Sequence, residues 1–150
     1  AVPLIYHAPD EPRFYVPQNL YLIGLMNLAD RSLAMMDYAL RRRFAFVALK
    51  PQYESEQFRR WLLERSMKPE LVERIVSRMS QLNQQIRNDA LLGENYQIGH
   101  SHFTPRGDNF AGLDIDWYRS VVRTEIVPLL KEYWFDNPKK AAEAESRLLA

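Results

Sequence analysis

The sequence predicts an α/β segment followed by a mostly helical one, and three observations predict it. Leu20-Tyr21-Leu22-Ile23-Gly24-Leu25-Met26 is a nearly unbroken apolar run without period-two alternation, the pattern of a strand covered on both faces. A stretch with apolar residues at helical spacing follows over Leu33–Arg42, and Phe44–Leu49 is a second β-prone run stopped by Pro51. Beyond Pro51 only three- and four-residue periodicity remains. The expected boundary falls there, with residues 1–50 α/β and residues 51–150 helical.

Each element has a local reason. Val2–Tyr6 and Arg13–Val16 flank His7-Ala8-Pro9-Asp10, where Pro and Asp favour a turn, so a hairpin is expected to open the chain. Pro17-Gln18-Asn19 then breaks the backbone before the apolar run. Asp30 or Ser32 can cap the helix that follows, whose Leu33, Met36 and Leu40, with Phe44 just past the end, would face the sheet. Strand, helix and strand in this order suggest a parallel βαβ unit.

In the helical part, Glu54–Ser66 places Phe58, Trp61, Leu62 and Arg65 on one face. Pro69 suits the first position of the next helix, with Glu70 and Glu73 in its first turn. Leu71, Ile75, Met79, Leu82 and Ile86 continue it as a sustained apolar seam. Gly93–Leu113 is irregular and holds four of the five glycines. Asp114 or Asp116 then opens a long helix through Tyr133, with Tyr118, Val121, Val122, Ile126, Leu129 and Leu130 on its stripe. Pro128 lies inside that helix and should kink it, because proline donates no backbone hydrogen bond. Lys139–Leu149 is a short amphipathic tail. Trp61, Trp117 and Trp134 fall on apolar faces and read as core.

Composition narrows the classes of function. With 150 residues, 47% hydrophobic and 26% charged, the chain is long and apolar enough to bury a core. The absence of cysteine excludes a disulfide framework, a thiolate metal site and a cysteine nucleophile, and fits a cytoplasmic protein. No signal peptide opens the chain, and no apolar run approaches the length that crosses a bilayer core of about 30 Å, so no membrane partner is expected. There is no G-x-x-x-x-G-K-[ST], G-x-G-x-x-G or G-x-S-x-G, so the sequence brings no phosphate cradle or nucleophile elbow.

The net charge of +1 conceals an uneven distribution. Residues 1–40 sum to −2, residues 41–87 to +6 and residues 88–150 to −3. A basic middle third suits an anionic partner such as nucleotide, nucleic acid or an acidic subunit, although solvated helix faces explain it equally well.

Asn27 stands at the carboxyl end of the first predicted strand, where parallel sheets bind ligands. An amide there both donates and accepts, and can orient a water against a γ-phosphate; a turn asparagine is the plainer alternative. Arg41, Arg42 and Arg43 close the predicted helix, where cations are stabilised by its dipole. Successive helical residues point about 100° apart, so one or two of them could reach a neighbouring subunit while another anchors locally. His100 and His102 lack a third ligand nearby, and no metal site is expected.

Phe14-Tyr15-Val16-Pro17-Gln18-Asn19-Leu20-Tyr21, Met26-Asn27-Leu28-Ala29-Asp30-Arg31-Ser32 and Leu40-Arg41-Arg42-Arg43-Phe44 strongly resemble the McrB-type AAA+ NTPases, the GTPase subunits of 5-methylcytosine-specific restriction systems. Tyr96-Gln97-Ile98-Gly99-His100-Ser101-His102-Phe103 and Ile126-Val127-Pro128-Leu129-Leu130-Lys131-Glu132-Tyr133-Trp134 look like that family's later blocks. The resemblance runs from about Arg13 to Asp136 in the family's order. It implies the C-terminal part of an AAA+ core, with sensor-1 strand, helix and strand, plus a helical lid. The sequence would then begin between Walker B and sensor 1.

On this resemblance, Asn27 matches the sensor-1 asparagine, and one or more of Arg41, Arg42 and Arg43 match arginines that act in trans. Asp30, Gly99 and His100 are the expected nucleotide-binding positions. The implied cofactors are GTP or ATP with Mg²⁺, held by the complete parent and not by this fragment alone. The implied partners are a homo-oligomeric, hexameric ring, a McrC-like nuclease subunit, and DNA reached through the full complex. One departure stands out: the family usually reads Met-Asn-Thr-Ala-Asp-Arg-Ser, and Leu28 replaces the threonine, which puts any role of that hydroxyl in water positioning in doubt. Two other readings compete: a small nucleic-acid-binding helical domain using residues 41–87, and a non-catalytic ring-assembly domain.

Overall fold

The computed structural model describes residues 16–27, 29 and 38–150. Among these residues the regular structure is helical throughout, and the expected sheet is not seen. The runs Leu20–Met26 and Phe44–Leu49 are both without strand pairing. A strand persists only where its backbone groups pair across a ladder, and no ladder forms at either run among the described residues. Their side chains stay outside: Ile23 is 90% exposed, Leu25 92% and Leu49 87%. The expected hairpin falls almost wholly outside the described residues, as do Asp30, Ser32 and the first half of the helix expected over Leu33–Arg42. In the described half, Tyr38–Arg41 forms the single helical turn α1.

The packed part is built from five further helices: α2 (Glu56–Glu64), α3 (Pro69–Arg87), α4 (Ile115–Val121), α5 (Val127–Tyr133) and α6 (Pro138–Leu149). Two 3₁₀ turns, Glu94–Tyr96 and His100–Phe103, lie in the loop between α3 and α4. Helix α2 starts at Ser55, whose hydroxyl accepts from the Phe58 N–H at 3.1 Å. It ends in a Schellman arrangement: Met67 N–H donates to the Leu62 carbonyl and Ser66 N–H to that of Leu63. Ser66 takes the left-handed conformation this needs, with φ of 65°.

Helix α3 is the central strut, packing against α2, α4, α6 and the first 3₁₀ turn. Pro69 begins it as expected, and Leu71, Ile75, Met79, Leu82 and Ile86 are all buried. Asp114, not Asp116, caps α4, its carboxylate accepting from the N–H groups of Asp116 and Trp117. The long helix expected through Tyr133 is interrupted by a π turn over Val122–Ile126, placed just before Pro128. Pro128 has no N–H to give the carbonyl four residues back, and the wider turn takes up the lost register. Helix α6 is capped by Asn137 and buries Ala141, Ala144 and Leu148. The buried core runs from Tyr53 to Leu148, and Trp134 belongs to it while Trp61 and Trp117 pack at its margin. No helix among the described residues is long and apolar enough to cross a membrane.

Candidate functional site

The segment Gln97–Thr104 carries the most organised group of expected site residues. It leaves α3 through the loop after Arg87 and turns back across the helix, so that Ile98 meets Asn83 from behind. The Asn83 amide is buried and makes two bonds to one residue: its Nδ2–H donates to the Ile98 carbonyl at 2.9 Å, and its Oδ1 accepts from the Ile98 N–H at 2.8 Å. The next carbonyl, of Gly99, accepts from the Tyr53 hydroxyl at 2.7 Å. Burial raises the Tyr53 pKa well above the usual phenol range, so the hydroxyl is held as a donor. The ring of His100 is then met by the backbone N–H of Gln52, which donates to Nδ1 at 3.2 Å.

That last bond settles the chemistry of the imidazole. A ring nitrogen that accepts carries no proton, so His100 is neutral with its proton on Nε2. Partial burial favours the same form by lowering its pKa from 6.5. The ring stands edge-on to Phe58, with centroids 5.3 Å apart, and to Tyr53 at 6.3 Å. It opens on a cavity of about 550 Å³ shared with Ser55, Gln57, Phe58, Trp61 and Thr104. This lining has aromatic walls and uncharged polar edges, with no carboxylate and no Lys or Arg.

His102 is wired differently. Its Nδ1 lies 2.7 Å from a Glu125 carboxylate oxygen, which can only accept, so Nδ1 carries a proton. Glu125 lies in the π turn, and the pair therefore ties this loop to the interrupted helix. Two histidines two residues apart thus use the same ring nitrogen in opposite roles, Nδ1 accepting in His100 and donating in His102.

Gly99 has an ordinary φ of −70°, and a Cβ built there would meet Ser101 Oγ at 3.6 Å, normal van der Waals contact. Neither backbone conformation nor local crowding requires glycine at this position.

The other expected residues lie apart from His100. The Asn27 side chain accepts from the Ala29 N–H at 3.1 Å, closing an Asx turn, and its residue lines a second cavity of about 690 Å³ with Leu92, Tyr96, Leu129, Tyr133 and Phe135. Arg41, Arg42 and Arg43 are exposed. Asp30 lies outside the described residues. The structure therefore joins Gly99 with His100 and sets Asn27 against the helical part, without bringing all of them to one cavity. Elsewhere in the basic middle third, Arg59 pairs with Glu73, Arg60 with Glu64 at 3.7 Å, and Arg65 lies over the Trp61 ring at 4.1 Å. Among the described residues no three His, Asp or Glu side chains gather where they would hold a metal ion.

Asn83, Tyr53, Gln52 and Glu125 were not singled out by the sequence. Asn83 alone carried a signal, since it falls four residues after Met79 on the buried face of α3, where a polar residue needs a partner.

The packed residues thus form a helical unit built on one long strut, with a pinned loop across it. Residues 74–142 match the family described as "McrB, alpha-helical lid domain". The chain is also 47% identical over 150 residues to the Type IV methyl-directed restriction enzyme EcoKMcrB subunit of Escherichia coli (strain K12), a match covering 99% of this chain and 33% of that protein. It thus spans 33% of the length of the curated relative it matches. The two matches support a McrB-type C-terminal fragment, with that family's helical lid over residues 74–142.

Proposed function

We propose that this chain is the sensor-1-to-lid portion of an AAA+ NTPase module in a McrB-type restriction subunit. In this reading residues 1–50 complete an α/β core, and the lid begins near Pro51. The observation that carries it is the 47% identity maintained across 99% of the chain to a methyl-directed restriction enzyme subunit. The complete subunit would hydrolyse GTP or ATP with magnesium as a ring oligomer and drive a partner nuclease on DNA. Asn27 would orient the attacking water, one of Arg41, Arg42 and Arg43 would reach the neighbouring subunit's nucleotide, and Gly99 and His100 would face nucleotide from the lid. His100 contributes a fixed, uncharged N–H donor to that face. A glycine that the backbone does not require, beside such a donor, is what a closely approaching ligand asks for.

The test is to substitute Arg41, Arg42 and Arg43 singly by Ala in the complete subunit, measuring hydrolysis together with ring assembly by sedimentation. Loss of hydrolysis by an intact ring supports trans-acting arginines; loss of the ring itself means that they only hold the assembly. The 150-residue chain alone is expected to show no NTP turnover, because its sequence has no phosphate-binding loop. Turnover by the rigorously purified chain would refute the assignment of roles.

A further inference from the structure

Among the described residues Asn83 is the one buried amide or charged residue, at 4% exposure. We propose that it is a positioning residue for His100, fixing the loop that turns this imidazole toward nucleotide. The proposal rests on the reading of His100 given above and adds to it the residue on which the orientation depends.

The geometry is specific to asparagine. Donor and acceptor on one planar amide match the N–H and C=O of a single backbone residue, as a neighbouring strand would. Aspartate keeps the bond from the Ile98 N–H but sets a second acceptor against the Ile98 carbonyl. Leucine has the same branching but a larger volume, and it satisfies neither group, leaving two buried backbone groups unpaired. The backbone of Asn83 is engaged as well, its carbonyl accepting from Gln97 Nε2 at 3.4 Å. The loop is thereby gripped at 97 and 98, immediately before the two residues expected to face ligand.

Asn83 acts from behind. It lines a different cavity, with Ser80, Gln84 and Arg87, while His100 opens on the one walled by Phe58 and Trp61. Tyr53 and Gln52 hold residues 99 and 100 by one bond each, to a carbonyl and to a ring nitrogen. Only Asn83 sets both the N–H and C=O of one loop residue, and so fixes the plane from which the next two peptides depart.

The test compares Asn83→Asp, Asn83→Leu and His100→Ala. Ring ¹⁵N signals of His100 and the amide signals of residues 98–100 are recorded in the 150-residue chain, and GTP and ATP hydrolysis is measured in the complete subunit. The expected result is that both Asn83 variants move the His100 ring signals while the amides of α5 and α6 stay in place. They should also raise KM by about ten-fold, in the same direction as His100→Ala, with kcat changed less. Should Asn83→Leu fail to fold, the isosteric Asn83→Asp carries the comparison. Unmoved His100 signals in the Asn83 variants overturn the proposal. So does a raised KM in His100→Ala that neither Asn83 variant shares. If His100→Ala leaves KM unchanged, the reading of His100 as a nucleotide-facing group fails, and the positioning role falls with it even where the ring signals move.

Discussion

Asp89 and Trp134 lie 45 residues apart in sequence, and the Trp134 indole Nε1–H donates to the Asp89 Oδ2 at 2.8 Å. The same carboxylate oxygen receives Lys140 Nζ at 2.5 Å, and Oδ1 accepts from the Leu91 N–H at 2.9 Å. One side chain, 6% exposed, therefore joins the loop after α3 to the corner between α5 and α6. It closes the lid's last helix against its central one.

The bond from Lys140, reinforced by the Leu91 and Trp134 donors against the opposing effect of burial, draws the Asp89 carboxyl from 3.8 to about 2. A depressed folded-state pKa gives stability that is present above 3.8 and disappears as pH falls toward about 2. Denaturant unfolding should therefore show wild type ahead of Asp89→Asn at neutral pH by about 1–3 kcal/mol, with the gap narrowing in that acid window. A gap that persists unchanged at the acid end would show that the carboxylate charge is not what holds the corner.

Ser66 occupies a left-handed conformation, with φ of 65°, at the end of α2. Glycine adopts this region without the Cβ clash, so Ser66→Gly should stabilise the fold by about 0.5–1 kcal/mol after the greater chain entropy of glycine is counted. Thermal melting is the measure, with Ser66→Ala as the control that keeps the strain. A lower melting temperature for the glycine variant would contradict this account.

Tyr118 is fully buried, and its hydroxyl donates to the Leu148 carbonyl at 3.0 Å. Burial is the main reason its pKa is pushed up to about 12, with Arg74 and Arg78 opposing. Tyr118→Phe keeps the ring stacked 5.6 Å from Phe103 but leaves that carbonyl without a partner. Destabilisation of about 1–2 kcal/mol is expected, concentrated in α6. Hydrogen exchange reads this directly: amides of 144–149 should lose protection before those of α3.

At Gly99 the prediction runs in two directions. Gly99→Ala should leave the fold as stable or raise it by about 0.4–1 kcal/mol, because the position is compatible with alanine and the unfolded chain loses freedom. In the complete subunit the same methyl should weaken nucleotide binding. Equal affinity in the alanine variant would mean that no ligand approaches this residue closely.

Much of the helical part was legible because its signals are local. The seam from Leu71 to Ile86 needed only periodicity, the Asp114 cap only residue type, and the disturbance near Pro128 only a missing donor. Its form as a π turn was not legible, since the choice between a kink and a widened turn depends on which faces of α4 and α5 must both stay buried. The apolar runs at 20–26 and 44–49 carry strand composition, but strand structure is a property of pairs, and composition names no partner. Asn83 escaped notice because its partner, Ile98, is a backbone reached only once the loop has folded back. Arg65 matched the apolar face by spacing alone and is accommodated as a cation over Trp61, a contact that helical spacing does not distinguish from burial.

The uncovered runs have a practical consequence. Leu22, Ile23 and Leu25 in one run and Val47 and Leu49 in the other present β-prone, uncharged chain to water. Such segments pair with copies of themselves in other molecules, the chemistry of aggregation and of inclusion bodies. The 150-residue chain should therefore coalesce as its concentration rises, whereas a version trimmed to 51–150 keeps the entire buried cluster from Tyr53 to Leu148 and should stay monodisperse. Light scattering of the two, side by side, separates a surface that merely looks greasy from one that glues molecules together.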